Sequence, residues 1–75
     1  MTYEKVKALI SKQLKVPEDK VTLDARLVED LGADSANVMV LIMDVEDQFG
    51  IMVDDDAIMT LKTVKDVVAY IDSKL

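Results

Sequence analysis

The sequence predicts an all-α fold, a small four-helix bundle with three long helices, one short helix and a long ordered loop after the first helix. Three observations carry that expectation. Apolar residues recur at spacings of three and four in three separate segments, as they do on helices with one buried face. No stretch alternates with the period of two that a half-buried strand requires. Glycine (2) and proline (1) are scarce, which leaves little material for hairpin turns. With 75 residues, 51% of them apolar, the chain is expected to form a single domain over 1–75 around one core.

The first helix is expected from Thr2 to about Lys15, with Tyr3, Val6, Ile10 and Leu14, flanked by Leu9, as its apolar stripe. Thr2 suits the N-cap, while Glu4 and Lys15 suit the positive and negative ends of the dipole. Pro17 stops the helix because it pushes Val16 out of the helical region. Residues 16 to 34 form the long connection. Its apolar residues Val21, Leu23, Leu27, Val28 and Leu31 imply that it lies along the core, and a short helical turn fits within it.

The second long helix is expected from about Ser35 to Phe49, capped by Gly50, with Val38, Leu41, Ile42, Val45 and Phe49 facing inward. Asp54-Asp55-Asp56 before Ala57-Ile58-Met59 reads as a capped short helix. The last helix repeats the stripe offsets of the second with Val64, Val67, Val68, Ile71 and Leu75. Thr63 is its expected N-cap, and Asp66 completes a capping-box variant.

Composition excludes several functions. There is no cysteine, histidine or tryptophan, hence no thiolate nucleophile, disulfide framework or zinc-finger set. The usual general base and the commonest metal ligand are also missing. So short a chain has no room for a lid and an enclosed site, and an enzyme is not expected. The longest apolar run, Val38 to Met43, is too short to cross a bilayer. The N-terminus lacks a signal core, so the mature chain is expected to begin at Met1.

Charge is concentrated. The net value is −6, but residues 24 to 56 hold ten acids and only Arg26 as a base, or −9. Such a field disfavours nucleic acid and steers basic partners. A solvated acidic face kept for solubility has the same composition.

Leu31-Gly32-Ala33-Asp34-Ser35 leads directly into the second long helix. With Asp34 as N-cap, Ser35 falls in the first turn with its hydroxyl free, where backbone N–H groups and the dipole favour a negative group. Gly32 would give an enzyme close access to the backbone. Taken alone, this segment is also what an ordinary turn and cap look like. Along the same helix Ala36, Met39, Val40 and Met43 form a second apolar stripe, with Asp44, Glu46 and Asp47 around it. Methionine suits a surface that meets several partners, although Met39 and Met43 could equally complete a small core.

Taken together, these segments resemble the acyl carrier proteins over essentially all 75 residues. The resemblance rests on Leu31 to Ser35, on Glu46-Asp47-Gln48-Phe49-Gly50-Ile51, on Asp54-Asp55-Asp56, and on Thr63 to Ile71. It implies that Ser35 carries 4′-phosphopantetheine, derived from coenzyme A and attached by a magnesium-dependent phosphopantetheinyl transferase. The arm's thiol would hold acyl groups as thioesters, which accounts for a thioester carrier without cysteine. Asp34 matches the aspartate before the serine, with a supporting role in recruiting the metal or in capping. The resemblance further implies docking through Ala36, Met39, Val40, Met43, Asp44, Glu46 and Asp47 onto acyl-transfer and synthase enzymes with basic patches. It also implies shelter for part of the acyl chain, for which Leu41, Val45, Ile58, Leu61 and Val67 are candidate linings.

Two positions depart from the family pattern. Ala36 stands where the family has leucine, and Asn37 and Val40 stand where fatty-acid carriers tend to have acids. The attachment hydroxyl is unaffected, but the tie to ordinary fatty-acid partners loosens. The expected function is thus a carrier in fatty acid synthesis or a related acyl pathway. Polyketide, aminoacyl or D-alanyl cargo is the alternative. The chain is expected to be monomeric and cytoplasmic in a bacterium, with an organelle as the alternative, and without membrane insertion or a specific metal site. An unmodified acidic interaction domain is the reading from another class. Divalent-ion binding through Asp54–Asp56 or through Glu29, Asp30 and Asp34 is a third reading, but neither cluster matches an EF-hand loop, and a serine hydrolase would lack its base.

Overall fold

The computed structural model describes residues 2–75, and the expected start at Met1 lies outside them. Helix α1 spans Thr2–Leu14, α2 Ser35–Phe49, α3 Asp55–Ile58 and α4 Val64–Lys74, with a 3-10 turn at Glu18–Lys20 in the connection after α1. The helix content and the long–long–short–long order are those expected. Helix α1 packs on both α2 and α4. Val6 and Ile10 of α1 meet Leu41, Ile42 and Val45 of α2 and Val64, Val67 and Ile71 of α4 in one core. Each of these residues is nearly or wholly buried, and their removal from water is the main stabilising term.

Caps fix where the helices begin and end. Asp34 accepts a hydrogen bond from Asn37 N–H at the start of α2, and Gly50 ends that helix in the left-handed conformation at φ 66°. At the start of α4 the Thr63 hydroxyl and the Asp66 carboxylate form the reciprocal capping box. Two expected caps are different. Thr2 lies inside α1, and its hydroxyl donates to Asp72 Oδ1 at 2.6 Å, tying the first turn to α4. Asp54 occupies the N-cap position of α3, but its side chain makes no capping hydrogen bond.

The long connection is ordered because it is stitched to the α3–α4 junction. Leu27 N–H donates to Lys62 C=O at 2.9 Å, Val64 N–H to Ala25 C=O at 3.0 Å, and Lys65 N–H to Leu23 C=O at 2.9 Å. The isolated antiparallel bridge between Arg26 and Thr63 lies at the centre of this seam. Tyr3 Oη donates to Val21 C=O at 2.6 Å and holds the start of the connection against α1. Val21, Leu27 and Leu31 enter the core as expected, joined by Ala25 and Ala33. Leu23 and Val28 do not, being 43% and 58% exposed. Leu75, expected to end the α4 stripe, is exposed as well, because α4 stops at Lys74.

Candidate functional site

Ser35 is the first residue of α2, and it is exposed. Its position follows from two neighbours. Gly32 adopts φ 75°, turning the chain after the Arg26–Leu31 turn, and Asp34 then starts the helix. A Cβ on Gly32 would meet no atom within 4 Å, so its backbone conformation, not close packing, accounts for glycine there.

Asp34 Oδ1 accepts from Asn37 N–H at 2.8 Å. This leaves the N–H groups of Ser35 and Ala36 and the Ser35 hydroxyl without partners among the described residues. An exposed hydroxyl beside free first-turn amides at the positive end of a helix of 15 residues can be esterified, and it favours a phosphate once attached. The residues present therefore fit a phosphodiester-linked arm.

Ser35 opens onto a cleft of about 440 Å³ lined by Leu27, Val28, Glu29, Val38, Met39, Ile58, Met59, Leu61 and Lys62. Seven of these nine are apolar, supplied by the connection, α2, α3 and the segment after α3. Of the residues expected to line an acyl site, Ile58 and Leu61 line this cleft. Leu41, Val45 and Val67 are instead absorbed by the closed core, at 0–1% exposure. The missed wall is the turn Leu27-Val28-Glu29, together with Met59. Its available signal was a polar-flanked apolar pair within an acidic loop, which also fits plain core packing.

On the outer face of α2, Ala36, Met39, Val40 and Met43 are all exposed, the last three at 47%, 44% and 62%. They therefore do not complete the core. The three acids beside them differ. Asp44 accepts from Gln13 Nε2 of α1, and Glu46 Oε2 accepts from Val53 N–H at 2.9 Å. Asp47 is exposed and has no hydrogen-bond or ion-pair partner among the described residues. Asp44, Glu46 and Asp47 share a shallow hollow with Met43, Ile51 and Met52. At 1.5 Å rise per residue, Asp44 lies about 13 Å and Asp47 about 18 Å along the axis from Ser35.

The sole base of the acidic stretch is fully engaged. Arg26 Nη1 lies 2.6 Å from Glu29 Oε2, and its guanidinium also meets Asp30. Asp30 is held below the ordinary carboxylate range, first by the Arg26 backbone N–H at 2.8 Å and then by the guanidinium. Asp66 is held low by the N–H groups of Thr63 and Lys62 that it accepts from, Thr63 first. Among the described residues no group of three or more potential ligands could hold a metal ion, and no helix is long and apolar enough to cross a membrane.

The family model described as "Phosphopantetheine attachment site" matches residues 4–71. An acyl carrier protein of Thermotoga maritima is 48% identical over 73 residues, covering 97% of this chain and 90% of that protein. One of Akkermansia muciniphila is 51% identical over 69 residues, covering 92% of this chain and 86% of that protein. The solved acyl carrier protein of Enterococcus faecalis superposes with a TM-score of 0.85 at 34% identity, covering 99% of this chain and 94% of that one. The chain belongs to the acyl carrier proteins, and its prosthetic group is a covalently bound 4′-phosphopantetheine.

Proposed function

We propose that Ser35 is the attachment residue and that the protein presents acyl thioesters to enzymes that dock on α2. The observation that carries this reading is the exposed hydroxyl at the α2 N-terminus, unpartnered among the described residues and opening onto an apolar cleft. Asp34 supports the site by capping α2 through Oδ1, and Oδ2 remains available to the magnesium used by the transferase. Catalysis belongs to the partners: a phosphopantetheinyl transferase, then acyl-transfer and synthase enzymes with basic patches. The carrier works as a monomer in the bacterial cytoplasm.

The docking face combines the apolar strip Ala36, Met39, Val40 and Met43 with the acids Asp44, Glu46 and Asp47. Asp47 is the acid most open to a partner's cation. The first two turns of α2 carry no acid, so the electrostatic contact falls well away from Ser35 and the contact near Ser35 is apolar.

Fatty acyl groups are the proposed cargo, with polyketide, aminoacyl and D-alanyl groups as the alternatives. The apolar cleft favours a hydrocarbon chain over a compact charged aminoacyl group. The test is a competition: the arm-loaded protein is offered to a malonyl-transferring enzyme, to an aminoacyl-adenylating ligase and to a D-alanyl ligase, and the acylated product is weighed. Malonylation that dominates at equal enzyme concentrations supports fatty acyl cargo. Efficient aminoacylation or D-alanylation without malonylation would reassign the pathway.

A further inference from the structure

Three polar residues stand at the cleft beside its apolar walls: Glu29, Ser35 and Lys62. Their charges are not equally available. The Glu29 carboxylate is drawn to Arg26 at 2.6 Å. Lys62 is exposed and forms no ion pair among the described residues, although the chain as a whole is strongly acidic. Its backbone is fixed from both sides: its C=O accepts from Leu27 N–H at 2.9 Å, and its N–H donates to Asp66 Oδ2 at 3.1 Å. The stem of Lys62 therefore starts from an anchored point on the rim, while its ammonium is free to move. The cleft that Ser35 lines thus also offers an unpaired cation and a neutralised anion.

We propose that the Lys62 ammonium pairs with the phosphodiester joining the arm to Ser35, so that the start of the arm lies across the cleft mouth. This rests on the reading of Ser35 as the attachment residue. The diester carries one negative charge and meets the free N–H groups of the α2 first turn on one side. Lys62, which lines the same cleft, supplies the complementary charge, and Arg26 keeps Glu29 from competing for it. Lys62 is a positioning residue. It biases the arm between an inward position, with the thioester near Leu27, Val38 and Ile58, and an outward one offered to a partner. An exposed pair of this kind changes that population about 1.5- to 5-fold at low salt, and added salt weakens it.

The experiment uses the full chain loaded with phosphopantetheine, as wild type, Lys62→Gln, Lys62→Arg and Lys65→Gln. Lys65 is exposed on α4 and does not line the cleft, so it controls for net charge. Loading is verified by intact mass, and the phosphorus-31 resonance of the diester is followed from about 20 mM to about 500 mM salt. The expected result is a wild-type resonance that moves with salt towards the Lys62→Gln position. Lys62→Arg and Lys65→Gln should retain the wild-type response, and all four should give the same thermal melt within error. A loaded Lys62→Gln protein with the wild-type resonance and salt response overturns the pairing, as does a Lys65→Gln change of equal size. Failure of wild type to gain the arm at Ser35 overturns the attachment reading itself and the pairing with it.

Discussion

Thr63 and Asp66 fix the start of α4 through three hydrogen bonds: Thr63 Oγ1 accepts from Asp66 N–H, and Asp66 Oδ2 accepts from the N–H groups of Thr63 and Lys62, all at 3.1 Å. Thr63→Ala should cost about 1 kcal/mol of stability, measured by urea unfolding. The Asp66 carboxylate is held below its ordinary range, so the folded state binds its proton more weakly than the unfolded chain does. Its contribution is complete above the unfolded-state value and disappears as pH falls through the folded-state value. Wild type should therefore lose its stability advantage over Asp66→Asn as pH drops through and below the ordinary aspartate range. A constant difference between the two across that range would contradict the assignment. The Thr63 box was legible because its partners lie three residues apart. The role of Thr2 was not, because its acceptor Asp72 is 70 residues away and no local pattern contains it.

At the scale of elements, α2 has two apolar faces, one buried and one exposed. Leu41, Ile42 and Val45 enter the core, so Leu41→Ala should destabilise by about 2–5 kcal/mol in the same unfolding measurement. Met39, Val40 and Met43 face outward; the spacing assigned Leu41, Ile42 and Val45 to the core but left open whether the second stripe completed it. The acids on α2 separate in the same way. Asp47→Lys should weaken binding to a basic partner at low salt while leaving the melt nearly unchanged, because the exposed side chain makes no hydrogen bond or ion pair among the described residues. Glu46→Lys should weaken binding and also lower the melt, since it removes the acceptor for Val53 N–H. Titration calorimetry at two salt concentrations with parallel melts checks both. The cleft was less legible than α2, because Val28 and Glu29 acquire their place from the seam to Lys62 and Val64, a pairing of backbone atoms that side-chain periodicity does not encode.

At the scale of the whole molecule, the absence of cysteine and histidine, the net charge of −6 and the small size form one consistent picture. In the proposed function the chemistry belongs to other proteins, and the charge field would steer basic partners to a body of about 26 × 25 × 19 Å. An acyl chain held in the cleft binds the folded state only, so it should raise the melting temperature, by roughly 4–8 °C for each 1 kcal/mol of binding. Equal melts for the acylated and unacylated loaded forms would place the chain outside the cleft. The order of the helices and the serine at the start of α2 were legible because capping and apolar periodicity are local. The cleft was not, because it is built from four separate segments.

The central claim is that Ser35 bears the arm. The direct measurement is intact mass after incubation with coenzyme A, magnesium and a phosphopantetheinyl transferase, for wild type and for Ser35→Ala, with a known carrier as the positive control. The account predicts a gain of one phosphopantetheine in wild type and none in Ser35→Ala, whose fold and melt should be intact because the Ser35 side chain makes no hydrogen bond among the described residues. An unmodified wild type beside a fully modified control would contradict the account, and so would an equal gain in Ser35→Ala.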